Sequence, residues 1–98
     1  MTKPLDQLAP GDFEPLVGQR FTVVQNEGDL GLELVSIRPL PPHSRRAEPF
    51  ALLFRGPRQP ALAQRIHTLA NAQVGALAIF LVPVTGDGEG LDYEAIFN

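Results

Sequence analysis

Cysteine is absent from the 98 residues. That excludes disulfide staples, thiolate zinc sites, iron–sulfur clusters and cysteine nucleophiles. The fold has to hold by packing and hydrogen bonds. Lysine is almost absent as well, with Lys3 the single instance, and no basic run is interleaved with aromatics. Together with a net charge of −3 this argues against nucleic-acid binding. Long hydrophobic runs are missing too. The longest, Ala76 to Val84, has nine residues, against the roughly 20 that a membrane-crossing helix needs. The opening Met1-Thr2-Lys3-Pro4-Leu5-Asp6 lacks the apolar core of a signal peptide. The expectation is a cytoplasmic protein with no membrane partner.

What is present is 44% hydrophobic and 19% charged, a globular balance. The length suits one domain over residues 1–98, with an N-terminal arm at 1–18 and a body at 19–98. Charge is unevenly placed: residues 38–65 carry +5, between flanks of −4 each. Such a basic middle reads either as a polarised surface or as arginines on several faces that pair locally; the second is the commoner case.

Ten prolines and nine glycines cut the chain into short pieces, as a small all-β fold with many turns requires. After Pro4, residues Leu5–Ala9 suit one helical turn that Pro10-Gly11 ends. Phe21–Gln25 is β-branched and aromatic, and a glycine-bearing turn joins it to a second strand, Leu32–Arg38, as a hairpin. The apolar phase of that second strand shifts between Leu34 and Val35. A bulge, or burial on both faces near one end, accounts for it. Pro39–Pro49 is a proline-rich loop. Phe50–Arg55 alternates as a strand, Ala76–Val84 is a near-continuous apolar strand expected to be central for most of its length, and Leu91–Phe97 is a last strand with one buried face. Residues 60–75 are ambiguous. Leu62, Ile66, Leu69 and Ala70 share a helical face, so periodicity alone favours a helix.

Several stretches resemble one family of small bacterial domains of unknown function. They are Leu16-Val17-Gly18 followed by Phe21; Phe50-Ala51-Leu52-Leu53-Phe54-Arg55-Gly56-Pro57; Phe80-Leu81-Val82-Pro83-Val84; and the closing Tyr93-Glu94-Ala95-Ile96-Phe97-Asn98. The likeness runs from about Phe13 to Asn98, and the closing motif is its most specific part. Members tend to carry a strand-like Gln-Gly-Thr-Tyr where this chain has Gln64-Arg65-Ile66-His67, then a leucine and a turn ending in Leu-Gly, here Leu69 and Val74-Gly75. The resemblance therefore implies a strand over residues 65–69 instead of a helix. Arg65 and His67 depart from the glycine and tyrosine. It also implies a role as a companion of phage-tail-collar-type proteins, and it brings no catalytic residue with it.

Chemistry has few footholds. The two histidines, His43 and His67, have no partner at metal-ligand spacing. Ser36 and Ser44 lie outside any nucleophile-elbow pattern, and Ser44 beside His43 is adjacency alone. Asp87, Glu89 and Asp92 lack the calcium-loop pattern, and Gly86-x-Gly88-x-Gly90 precedes a strand where a phosphate loop precedes a helix. Arg45-Arg46 is the sharpest charged feature, suited to a carboxylate or phosphate or simply a solvated loop tip. The reading is an all-β chain of about six mostly antiparallel strands forming a small barrel or curled sheet, closed by a short helical arm. It is expected to be non-enzymatic, without metal or cofactor: a structural or protein-interaction module, compatible with a homo-oligomer. Its candidate binding residues are Arg45, Arg46 and, should the final strand lie at an edge, Tyr93 and Phe97. The alternative is a ligand-binding barrel with a cavity lined by Phe21, Phe54, Phe80 and Tyr93.

Overall fold

A computed structural model describes residues 8–25, 28–41, 48–57, 61–84 and 90–97. Six strands close into a barrel: β1 Arg20–Val24, β2 Leu30–Pro39, β3 Phe50–Gly56, β4 Arg65–Asn71, β5 Gly75–Val84 and β6 Leu91–Phe97. Their order around the barrel is β1-β2-β3-β6-β5-β4, and β4 returns to β1. Every neighbouring pair is antiparallel. Closure removes most of the open edges that a small sheet would otherwise expose.

The phase shift in β2 is a bulge. Leu34 pairs with Phe54 but Ser36 pairs with Leu53, so Val35 is the extra residue. Leu32 and Leu34 point inward before it, and the half-buried Ile37 does so after it. Residues 65–71 form a strand, as the family resemblance implied. The helical spacing of Leu62, Ile66, Leu69 and Ala70 does not become a helix. Leu69 is inward, Ile66 outward, and Leu62 precedes the strand. Pairing with β5 over seven residues, Arg65–Leu81 to Asn71–Gly75, decides the outcome. The turn between them is a tight three-residue connection. Gly75 takes φ +77°, and the Asn71 Oδ1 accepts the Gln73 N–H at 2.8 Å.

Both mouths of the barrel are filled. The arm is helical from Pro10 onward, so Pro10 starts the helix and does not end one. Helix α1 is Pro10–Phe13, followed by a 3₁₀ turn at Glu14–Leu16. Proline at the first helical position loses no hydrogen bond, and the Asp12 carboxylate accepts the Ala9 N–H at 2.8 Å. Of the turn expected at Leu5–Ala9, residues 5–7 lie outside the described residues, and Leu8 and Ala9 are not helical. The arm presses Phe13 and Leu16 into the barrel, both fully buried. Gly18, at φ +89°, then turns the chain so that its N–H donates to the Leu34 carbonyl at 2.7 Å. β3 and β4 stand on opposite sides of the barrel, and at the other mouth residues 61–64 lead into β4. They lay Leu62 over the core, and the Leu62 N–H donates to the Tyr93 hydroxyl at 2.9 Å.

Side chains fill the interior. Phe21 and Phe54 meet edge to face at 5.3 Å. Phe50 and Phe97 stack at 4.7 Å, and Phe13 tilts against both at 5.8 Å. Burying each such ring contributes about 1.5–3 kcal/mol.

Candidate functional site

The inner face is core, so among the strands the exposed outer wall is the candidate surface. Alternation sends His67 and Leu69 of β4 and Leu77, Ile79 and Leu81 of β5 inward, and Ile66, Thr68, Ala76, Ala78 and Phe80 outward. On the outer wall Ile66 of β4 stands directly opposite Phe80 of β5. They are 64% and 49% exposed. β6 adds Ile96, 50% exposed. Continued two residues past the last β5–β6 ladder pair, Val82–Glu94, the register brings Ile96 level with Phe80. One strand further round, the exposed Val24 of β1 stands opposite Thr68. A wall of Ile66, Phe80 and Ile96 on three successive strands is a contiguous apolar face of the kind that marks contact sites.

Two ion pairs flank this face on the β6 side. Arg55 Nε lies 2.8 Å from Asp92 Oδ1, and its Nη2 lies 3.4 Å from Oδ2, across the β3–β6 ladder. Arg38 Nη2 lies 2.6 Å from Glu94 Oε2. Two arginines of the basic middle thus neutralise acids of the last strand, which favours local pairing over one polarised patch for these residues. A depression of about 230 Å³ lies beside these pairs, over β2, β3 and β6, between Ser36, Arg38, Leu53 and Glu94. Its two charges are the partners just described.

The residues singled out in the sequence are scattered. Arg45, Arg46, His43 and Ser44, in the β2–β3 connection, lie outside the described residues, as do Asp87 and Glu89. A hydrogen bond from the Leu40 N–H to the Pro49 carbonyl, at 3.0 Å, brackets that connection. Tyr93 and Phe97 are buried, at 0% and 7% exposure, and their side chains are core. β6 is bonded to β3 along its whole length and to β5 at Asp92–Glu94, so it is laddered on both sides over three of its seven residues. β5, expected to be central for most of its length, lies between β4 and β6 in the barrel, laddered to β6 at Val82–Val84.

The cavity expected from Phe21, Phe54, Phe80 and Tyr93 does not form from those residues. Three are packed core and Phe80 is on the outside. His67 is buried, and its Nε2 lies 2.8 Å from the Ala63 carbonyl oxygen. A carbonyl only accepts, so that nitrogen carries the proton and the ring is fixed as a structural donor. Ser36 is on β2 and His67 on β4, with β1 between them. Among the described residues no three metal-ligating side chains cluster, and no helix is long and apolar enough to cross a membrane.

Sequence reasoning missed Ile66, Phe80 and Ile96. The signal was available once residues 65–71 were read as a strand, since His67 and Leu69 inward force Ile66 outward. No curated protein and no solved structure matches the chain. A family model does, over residues 8–97: the chain belongs to a family described as a domain of unknown function, DUF6916.

Proposed function

We propose that this small barrel is a non-enzymatic protein-interaction module that contacts its partner through the outer wall of β4, β5 and β6. The observation that carries the reading is the exposure of Ile66, Phe80 and Ile96 side by side on three strands. Apolar side chains scattered singly need no explanation, whereas a contiguous set on a rigid wall is a contact surface. Aromatic and aliphatic anchors flanked on the β6 side by the Arg38–Glu94 and Arg55–Asp92 pairs fit an interface centre with a polar rim. The resemblance of the closing Tyr93–Asn98 motif to companions of phage-tail-collar-type proteins supplies the partner class. The role is that of an accessory or assembly partner of such a protein.

The experiment is a binding titration of the domain against a tail-collar-type protein from the same organism. Wild type, Phe80→Asp and Arg45→Ala/Arg46→Ala are compared. The expected result is binding by wild type and loss with Phe80→Asp. An effect of the arginine pair would add the β2–β3 connection to the surface. Equal binding by wild type and Phe80→Asp would reject the wall.

A further inference from the structure

The two mouths of the barrel are plugged unequally. At one, Phe13 and Leu16 are both fully buried, and the chain that follows is bonded backbone to backbone. The Gly18 N–H donates to the Leu34 carbonyl at 2.7 Å, and the Leu34 N–H donates to the Gln19 carbonyl at 3.0 Å. At the other mouth, residues 61–64 belong to no strand. Ala61, Ala63 and Gln64 are exposed, and Leu62 alone of the four is buried.

Side chains hold this second plug down. The Leu62 N–H donates to the Tyr93 hydroxyl at 2.9 Å, and the next residue, Ala63, accepts the His67 Nε2–H on its carbonyl at 2.8 Å. Tyr93 stands on β6 and His67 on β4, with β5 between them. Two consecutive residues are thus tied to two strands that do not pair with each other. Both anchoring side chains are buried, and seven-residue ladders fix the strands that carry them.

We infer that residues 61–64 form a strap that opens as a unit while the barrel stays closed, with Tyr93 and His67 as its latch. Opening it breaks two hydrogen bonds and exposes one leucine. Opening the barrel instead exposes the aromatic core and breaks the ladders. A segment with few buried apolar contacts opens at lower free energy than the body it covers. His67 is then a positioning residue, which gives a role to a buried polar ring that no chemistry claims. The strap runs straight into Arg65 and Ile66, the first residues of β4. A closed strap therefore secures the end of β4 that presents Ile66 opposite Phe80. The device needs no partner, so it stands or falls apart from the proposed wall.

The test is amide hydrogen exchange followed by NMR over a urea series, for wild type, His67→Leu and His67→Gln. The Leu62 amide reports the strap, and the amides of the β3–β6 ladder report the barrel. In wild type, Leu62 is expected to exchange faster than the ladder and with a weaker dependence on urea. His67→Leu removes the donor to Ala63 and should speed Leu62 exchange roughly tenfold relative to the ladder amides. His67→Gln keeps an N–H donor and should hold Leu62 near its wild-type rate. Any loss of global stability in a variant moves the ladder amides too and cancels in that ratio. Wild-type Leu62 exchanging at the ladder's rate and urea dependence overturns the inference, because residues 61–64 then open only with the barrel. A Leu62-to-ladder ratio unchanged in His67→Leu, or raised equally in His67→Gln, overturns the latch.

Discussion

At the scale of single residues, Tyr93 and His67 show how polar atoms are settled inside an apolar barrel. Tyr93 is fully buried, and its hydroxyl accepts the Leu62 N–H at 2.9 Å. Removing the acceptor leaves a buried amide unpaired, so Tyr93→Phe should lower unfolding free energy by about 1–3 kcal/mol, although the ring stays in place. Urea unfolding followed by circular dichroism measures this, and a loss near zero would mean that water reaches Leu62. Phe97 has no polar role. It stacks on Phe50 at 4.7 Å with Phe13 against both, and Phe97→Ala should cost about 3–5 kcal/mol in the same assay. Phe21, Phe54 and Tyr93 were legible as inward-facing residues from strand alternation. Phe80 was not, for a physical reason. In Ala76–Val84 nearly every residue is apolar, so the outer phase (Ala76, Ala78, Phe80) carries no polar marker to distinguish it from the inner one.

Elements were legible where composition and alternation agreed. The Phe50–Arg55, Ala76–Val84 and Leu91–Phe97 segments became β3, β5 and β6 within a residue of their expected ends. The shifted phase of β2 became a bulge at Val35. The stretch 60–75 was not legible from periodicity. Four apolar residues at helical spacing fit a helix locally, and only the seven-residue ladder with β5 makes the strand win. The β1–β2 hairpin was legible and formed, whereas the other strand partners were beyond reach, because they depend on which strands close the barrel. Ladder neighbours also rank the ion pairs. Asp92, 7% exposed, holds Arg55 through two contacts from the directly opposite position on β3. Arg38, which meets Glu94, is 61% exposed at its side chain. Asp92→Ala should therefore cost about 1.5–3 kcal/mol and Glu94→Ala less than about 1 kcal/mol. Thermal unfolding of the two variants side by side gives the order, and the reverse order would contradict this view of the β3–β6 seam.

For the whole molecule, the fold accounts for where function can reside. A Cα radius of gyration of 12.9 Å matches the roughly 13 Å of a compact chain this long. Six strands of this size leave an interior just wide enough for their own side chains, and aromatic rings occupy it. On the proposed reading, recognition uses the outer wall, where Ile66, Phe80 and Ile96 are exposed near the Arg38–Glu94 and Arg55–Asp92 pairs. Because Phe80 is half exposed, replacing it should leave stability within about 1 kcal/mol of wild type while changing what the wall can bind. The most direct measurement is a calorimetric titration of a tail-collar-type protein with wild type and with Phe80→Asp, after matched thermal melts establish that both are folded. The account predicts saturable binding by wild type and a loss of roughly tenfold or more with Phe80→Asp. No binding by wild type, or the same affinity from both proteins, would contradict it.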